Sequence, residues 1–389
     1  MRTYRCISGD SHLEVPCDWW TPRVPAKYRD RAPRRIRMPN GGDGFLGENS
    51  PVIFGGTAHY AGKTPAEFNP MVAEHMEEAA GSGPPEQRLR EQDADGVDAE
   101  LLFASNTAMK VCRGITDDEA FRAVIRAYNE YLGEEYCAAA PDRLFGAGVL
   151  PHRGLESDLE ELEHCKDVGL KTVVVGRYPG GKPYPTEDDD RFWTAAMDLQ
   201  MPITIHTMMG GRRAGTFLPY PKQPEGEIPD DDYYLRLYRH AKPHAGGVEA
   251  LQMVMAGVFQ RFPNLQIYWA ENNVGWLPYY YEQMDLEWER NHVWGERLFG
   301  ATELSEAPSQ YIKQHAYWGF FDDPVGMKLR HEVGVDRIIW GNDFPHVVTG
   351  WPHSPEILER ELDGATRAEK QRIVAGNLIE FLGLEAVVE

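Results

Sequence analysis

From residue 90 onward, short apolar runs alternate with longer amphipathic stretches, and this alternation restricts the fold more than any other feature. The apolar runs stand at 97–104, 144–149, 171–176, 202–206, 264–270 and 336–341. Helical patterns separate them at 117–140, 155–168, 187–200, 248–262, 276–292 and 323–334. A strand at 4–10 and a weaker one near 316–320 bring the number of β units to about eight. This arrangement predicts an α/β fold, a (β/α)8 TIM barrel.

A doubly wound open sheet is the main alternative, because it shows the same alternation of strands and helices. Such sheets often bind dinucleotides through a glycine-rich turn after the first strand. The strand at 4–10 runs instead into DSHLE, which has no such glycine pattern. We therefore predict a single barrel domain over residues 1–389.

Two stretches, at about 38–86 and 207–247, interrupt the alternation. The first is rich in Gly, Pro and Asn, and the second contains GGRR, several prolines and three consecutive aspartates. Each follows the end of a predicted strand, where the loops of this architecture build active sites. Aromatic residues in both stretches favour inserted lid loops that pack over a pocket. Disordered insertions are the alternative.

Charge and cysteine content narrow the classes of partner. Lys and Arg number 40 against 61 Asp and Glu, so the net charge is −21 and neither nucleic acid nor an anionic membrane is an expected partner. No CxxC pair occurs among the cysteines, which argues against a disulfide framework or a cysteine zinc site. The N-terminus lacks the apolar core of a signal peptide, and no run approaches the length of a membrane span. We expect a cytoplasmic protein that acts on a small molecule.

Polar residues stand where four predicted strands end. Asp10 and His12 stand at the end of the first strand, and His206 ends the run at 202–206. Glu271 and Asp343 follow the runs at 264–270 and 336–341. In a barrel these strand ends converge on one mouth, where imidazoles and carboxylates suit a divalent metal. Each residue alone also has a structural explanation, because strand-end Asp residues often cap helices and buried His residues are often simply hydrogen-bonded.

The segments DSHLE, PITIHT, GVFQRFPNLQIYWAENNVGWLPYYYEQMD and DRIIWGNDFPH resemble one branch of the amidohydrolase superfamily. That branch contains aminocarboxymuconate-semialdehyde decarboxylase and related aromatic-acid decarboxylases. The resemblance runs from about residue 4 to residue 382. It implies a (β/α)8 barrel with one divalent metal at its mouth, held by Asp10, His12, His206 and Asp343. Zinc is the first expectation, with manganese and iron as alternatives, and a homodimer is one expected assembly state.

The sequence departs from the family pattern at two positions. The decarboxylases commonly carry His-x-His or Glu-x-His on the first strand, whereas this chain has Asp10-Ser11-His12. They carry a functional His after the sixth strand, whereas this chain has Glu271. Because the expected acid/base imidazole is replaced, we slightly favour hydrolysis by a metal-activated water. Asp343 would serve as base, Glu271 as a second base or extra ligand, and His346 as a proton donor.

Decarboxylation of an aromatic or unsaturated acid is the alternative, with Asp343 and His346 supplying the proton. Arg212 and Arg213 are candidates for a clamp on the substrate, and Trp351 lies in a segment that can reach the mouth. These residues predict a small aromatic or cyclic substrate. An inactive ligand-binding barrel is the third possibility. A missing metal ligand would favour it, but none of the expected ligands is clearly missing.

Overall fold

The computed structural model describes residues 2–55, 58–69, 72–77, 79–207, 209 and 245–388. Within them, eight parallel strands form one sheet whose order follows the chain: β1 (Ile7–Leu13), β2 (Ala99–Ala104), β3 (Leu144–Val149), β4 (Thr172–Val174), β5 (Ile203–His206), β6 (Ile267–Ala270), β7 (Ala316–Phe320) and β8 (Ile338–Trp340). Two backbone hydrogen bonds join the residues after β8 to β1, from His12 N to Phe344 O at 2.7 Å and from Asp343 N to Asp10 O at 2.9 Å. The fold is a (β/α)8 TIM barrel, as predicted.

The strands lie in the core of the protein, because both faces of the sheet are covered by packed side chains. β6, β7 and β8 are buried along their whole lengths, and their sequences IYWA, AYWGF and IIW are almost entirely apolar. Runs of this kind are typical of parallel strands that lie under a layer of helices. Trp269 of β6 stacks on Trp318 of β7 with ring centroids 5.1 Å apart, which ties neighbouring strands together on one face.

Helices surround the barrel. The α-helices are Pro85–Asp95, Asn106–Cys112, Asp118–Glu130, Leu155–Asp167, Asp190–Asp198, Ala245–Met255, Val258–Arg261, Leu277–Phe299, Pro308–His315, Pro324–Lys328, Arg330–Val333, Ser354–Glu361, Arg367–Gln371 and Asn377–Leu382. Shorter 3₁₀ and π segments are Cys17–Trp19, Thr21–Arg23, Ala26–Arg31, Tyr131–Tyr136, Cys137–Ala139, Glu187–Asp189, Val335–Arg337 and Arg372–Gly376. The helix predicted over 117–140 is α-helical only from Asp118 to Glu130 and continues as a π and then a 3₁₀ turn.

The first barrel strand differs from its prediction at both ends. Arg2–Tyr4 is a separate strand that pairs in parallel with Ala386–Val388, and β1 itself begins at Ile7. β1 then continues past residue 10 to Leu13, through Asp10, Ser11 and His12. A search for apolar runs ends the strand too early there, because these buried strand positions are polar.

The first predicted insertion, at about 38–86, begins within an antiparallel pair of strands, Arg34–Arg37 with Asp43–Leu46. Further along it, the backbone N–H groups of Tyr60 and Ala61 donate to the Pro345 carbonyl at 3.0 and 3.1 Å. This stretch therefore packs against the loop that follows β8, at the mouth of the barrel. Most of the second insertion, including Arg212 and Arg213, lies outside the described residues.

All five cysteines are free thiols in buried positions, which agrees with the predicted absence of a disulfide framework. In the described part of the chain, no helix combines the length and apolar character that crossing a membrane requires.

Candidate metal centre

β1 delivers three ionisable side chains to one place. Asp10, His12 and Glu14 alternate along the strand and its end, and alternate residues of a strand share a face. All three are buried. Ser11 points the other way, where its hydroxyl oxygen lies 2.9 Å from each of two acceptors for its one proton, Glu100 Oε1 and Asn342 Oδ1. The polar stretch therefore serves the mouth on one side and a buried hydrogen-bond network on the other.

The ends of β5 and β8 complete the cluster. His206 Nε2 lies 3.3 Å from Asp10 Oδ1, and His12 Nε2 lies 3.5 Å from the same oxygen. On its other side, His12 Nε2 lies 3.2 Å from Asp343 Oδ1. The structure thus brings together the four residues for which a ligand role is predicted.

Several atoms in this cluster are buried without a hydrogen bond, and a cation would satisfy them. Asp10 Oδ2, both ring nitrogens of His12 and Asp343 Oδ1 form none with the described residues. Buried polar atoms of this kind are costly unless they find a partner. Asp10, His12 and His206 also offer one ligand atom each within 4.8 Å of one another. Two imidazoles with one or two carboxylates fit zinc, manganese or iron, so the residues present fit a divalent metal.

Burial and neighbouring charges shift the pKa values of this cluster in opposite directions. Burial raises the pKa of Asp10 to about 7 and lowers the pKa of His12 to about 3. Burial also opposes a charged His206, but the Asp10 carboxylate outweighs it and raises the pKa of His206. A neutral imidazole is the form that binds metals, so the low pKa of His12 favours a ligand role.

The backbone around the site is strained. Thr207 (φ +59°) and Glu271 (φ +58°), directly after β5 and β6, and Asp343 (φ +47°), in the loop after β8, adopt left-handed conformations. Such conformations cost about 1–3 kcal/mol for residues other than glycine and cluster at functional sites. Their occurrence together at the strand ends is a second indication that function is located at this mouth.

Glu271 lies behind His206 rather than among the other site residues. Its Oε2 accepts a 2.8 Å hydrogen bond from the Thr207 hydroxyl and lies 3.7 Å from His206 Nδ1. The opposite nitrogen of that ring faces Asp10. A carboxylate in this position orients a ligating imidazole, so the geometry favours an orienting role over the predicted roles of base or ligand.

His346 occupies the opposite side of the cluster. Its Nδ1 lies 3.3 Å from Asp343 Oδ1, its Nε2 lies 3.0 Å from Glu14 Oε1, and its ring stacks on His12 with centroids 3.8 Å apart. Burial opposes its charge, but the facing carboxylates of Asp343 and Glu14 raise the pKa of His346 to about 10. The structure therefore places an imidazole within 3.3 Å of the Asp343 carboxylate, as the predicted proton-donor role requires.

Of the three predicted substrate-binding residues, only Trp351 lies in the described part of the chain. Trp351 is partly buried, donates from Nε1 to the Glu91 carbonyl at 3.0 Å and contacts the Phe344 ring at 5.4 Å. It thus supports the loop after β8, and its substrate role stays a prediction. A cavity of about 460 Å³ opens between the loops after β3 and β4, and the exposed Arg177 lies on its edge.

Sequence reasoning missed Glu14, which is fully buried and contacts His346. Its signal was the alternation Asp10-x-His12-x-Glu14, which continues past the end of the predicted strand at residue 10. Extending the strand by four residues would have placed Glu14 at the mouth with the other two.

Comparisons with known proteins identify the family of this chain. A family model described as Amidohydrolase matches residues 18–384. A curated relative, the 2-amino-3-carboxymuconate-6-semialdehyde decarboxylase of Dictyostelium discoideum, is 23% identical over 305 residues, 77% of this chain and 77% of that protein. Decarboxylase orsB of Emericella nidulans is 27% identical over 229 residues, 57% of this chain and 64% of that protein.

Solved structures show the same fold. An amidohydrolase from Mycobacterium avium subsp. paratuberculosis superposes with a TM-score of 0.68 at 18% identity, over 98% of this chain and 100% of that one. The 5-carboxyvanillate decarboxylase of Novosphingobium aromaticivorans, in complex with manganese and 4-hydroxy-3-methoxy-5-nitrobenzoic acid, superposes with a TM-score of 0.64 at 17% identity, over 98% of both chains.

Proposed function

This chain belongs to the amidohydrolase family, and from that premise we propose that it is a metal-dependent decarboxylase of an aromatic or unsaturated carboxylic acid. Both curated relatives described above are named as decarboxylases. The sequence-based preference for hydrolysis depended on Glu271, which replaces the expected acid/base imidazole. The comparisons favour decarboxylation instead.

One observation carries the proposal: His346 Nδ1 lies 3.3 Å from Asp343 Oδ1. This contact supplies an imidazole beside the strand-end aspartate from the loop after β8. The imidazole that position 271 lacks is therefore provided by another part of the chain, and the main objection to decarboxylation loses its force.

The cluster at the mouth suits a carboxylate substrate. Asp10, His12 and His206 would hold the cation, with Asp343 at its edge. When bound, a divalent cation supplies positive charge that fixes the substrate carboxylate and a neighbouring oxygen. Manganese joins zinc as a leading candidate, since it is bound in the decarboxylase of similar fold.

Asp343 and His346 would handle the proton. The bond between the substrate carbon and its carboxylate breaks, carbon dioxide leaves, and the electron pair stays on that carbon. Burial opposes a charged Asp343, but the facing imidazoles of His12 and His346 hold the pKa of Asp343 well below its usual range, so this carboxylate has no proton of its own to give. The carbon then takes a proton from His346, whose Nδ1 lies 3.3 Å from Asp343 Oδ1. Asp343 is almost fully buried, which keeps bulk water away from its carboxylate.

Hydrolysis is the second candidate, because Asp343 stands where a base for an attacking water would also stand. Glu271 does not add to this case, since it faces the Nδ1 edge of His206. An inactive binding barrel is the weakest candidate, because all four predicted ligand residues are present and close together.

The test is a substrate panel assayed with the metal-loaded protein. Aromatic and unsaturated acids would be assayed for carbon dioxide release, and esters, amides and lactones for incorporation of ¹⁸O from water. We expect carbon dioxide and the protonated product in equal amounts from at least one acid, with loss of this activity in Asp343→Asn. Turnover confined to the esters, amides or lactones would overturn the proposal in favour of hydrolysis.

A further inference from the structure

The loop that carries His346 is fixed on two sides. Within the loop, His346 N donates to the Asp343 carbonyl at 2.8 Å. On the barrel side, His12 N donates to Phe344 O at 2.7 Å, and on the other side Tyr60 N donates to Pro345 O at 3.0 Å. The backbone position of His346 is therefore set by the fold, and only the orientation of its ring requires a further contact.

Glu14 provides that contact. Its Oε1 lies 3.0 Å from His346 Nε2, and its Oε2 accepts a 2.5 Å hydrogen bond from the Ser105 hydroxyl. Its side chain is 0% exposed, and Ser105 is itself held as the N-cap of helix Asn106–Cys112. Both oxygens of Glu14 thus have partners within the protein, so the carboxylate is used inside the fold and is not free to bind substrate or a cation.

We propose that Glu14 is a positioning residue that orients the His346 ring so that Nδ1 faces Asp343. This inference rests on the proposed function for its kinetic consequence, although the geometry stands without it. A carboxylate bonded to one ring nitrogen fixes which edge of an imidazole faces the reacting group. Glu14 therefore acts through His346 and has no contact of its own with the substrate.

The alternative use of these residues is a second cation. His12, Glu14 and His346 also offer ligand atoms within 4.8 Å of one another. The direct contact of Glu14 with His346 and its second bond to Ser105 argue against this reading, because a cation would have to break the first of them. Metal stoichiometry separates the two cases.

The kinetic test is a double-mutant cycle between Glu14→Gln and His346→Asn. Glu14→Gln keeps the shape of the side chain, and we expect it to lower kcat about 10–100-fold with little change in KM, as changes in residues that orient catalytic groups do. In the His346→Asn background we expect no further loss from Glu14→Gln. Equal losses in both backgrounds would overturn the inference.

Glu161→Gln is the matched control. Glu161 is also buried and accepts hydrogen bonds through both oxygens, from Asn129 Nδ2 at 2.8 Å and Arg126 Nε at 3.0 Å, on helix Leu155–Asp167. A general cost of placing an amide at a buried carboxylate position would appear in Glu161→Gln as well. We expect kcat to be unchanged in this control.

Two measurements do not need a substrate. In ¹⁵N-histidine NMR spectra, the Nε2 signal that disappears in His346→Asn should shift in Glu14→Gln and stay in place in Glu161→Gln. Metal analysis should give the same one equivalent per chain in Glu14→Gln as in wild type. An unshifted Nε2 signal, or a second metal equivalent that Glu14→Gln removes, would overturn the inference even if no decarboxylase substrate is found. Failure of the substrate panel alone would overturn only the proposed function.

Discussion

Replacing Arg88 with methionine should destabilise the barrel directly beneath the site. Arg88, on helix Pro85–Asp95, donates from Nε to Glu100 Oε2 at 2.6 Å and from Nη1 to the His12 carbonyl at 2.9 Å. The side chains of this ion pair are 0% and 2% exposed. Arg88 thus connects a helix, β2 and the strand that carries three residues of the site.

The structure sets the expected size of the loss. Removing one partner of a buried ion pair costs about 3–5 kcal/mol, because the remaining charge has no compensation. Glu100 keeps its hydrogen bonds from Ser11 and Gln92. We therefore expect Arg88→Met to lower the free energy of unfolding by the lower part of that range, about 3–4 kcal/mol.

Two further variants make this a test of the buried charge itself. Arg88→Met/Glu100→Gln removes the uncompensated carboxylate and should recover at least about half of the loss. Arg372→Met breaks an exposed pair with Glu380, whose side chains are 39% and 55% exposed, and should cost at most about 1 kcal/mol.

Equilibrium urea unfolding, followed by tryptophan fluorescence and by circular dichroism, would measure these differences, and the two transitions must coincide for the values to hold. A free energy of unfolding for Arg88→Met within about 1 kcal/mol of wild type, or a double variant no more stable than the single one, would contradict a costly uncompensated charge at Glu100.

Three other predictions concern the site and its surroundings. Asp343→Ala should abolish turnover and leave the far-ultraviolet circular dichroism spectrum unchanged; retained turnover would remove Asp343 from the proposed chemistry. Glu271→Gln should weaken metal affinity about 10–100-fold in a chelator competition, since Glu271 faces His206 Nδ1 at 3.7 Å; an affinity equal to wild type would contradict its orienting role. Burial raises the pKa of Glu249 from 4.5 to about 8, so the unfolded chain loses this proton at lower pH than the folded one and stability falls as pH rises between those values. Glu249→Gln should flatten that fall by up to about 1.4 kcal/mol per pH unit in urea titrations, and an unchanged slope would exclude Glu249 as its source.

The sequence predicted the barrel well because buried parallel strands are visible as apolar runs. Runs such as 264–270 and 336–341 contain β6 and β8. Strand ends rich in polar residues also revealed Asp10, His12, His206 and Asp343, since a charged residue next to a buried strand is unusual without a function.

Buried charged residues that pair with another buried side chain could not be predicted in the same way. Arg88 lies in PEQRLREQDAD, where it reads as one more solvated charge of a polar helix. Its burial depends on Glu100, which belongs to a different element and faces it only in the folded barrel. Glu14 was missed for a related reason, because its partner His346 lies 332 positions away in sequence.

The orientation of side chains at the mouth also could not be predicted from the sequence. Glu271 follows β6 as predicted, but its position against His206 Nδ1 depends on the left-handed backbone at residues 207 and 271. Sequence patterns locate the end of a strand, whereas such local conformations depend on the packing around it.

The most direct test of the account is the metal content of the purified protein, measured by inductively coupled plasma mass spectrometry without a metal-affinity tag. Wild type and His206→Ala would each be dialysed against zinc, manganese or iron(II) and then freed of loosely bound ions. We predict about one equivalent of a divalent metal per chain in wild type and almost none in a folded His206→Ala. No metal in wild type after reconstitution, or equal content in both proteins, would contradict a metal site at Asp10, His12 and His206.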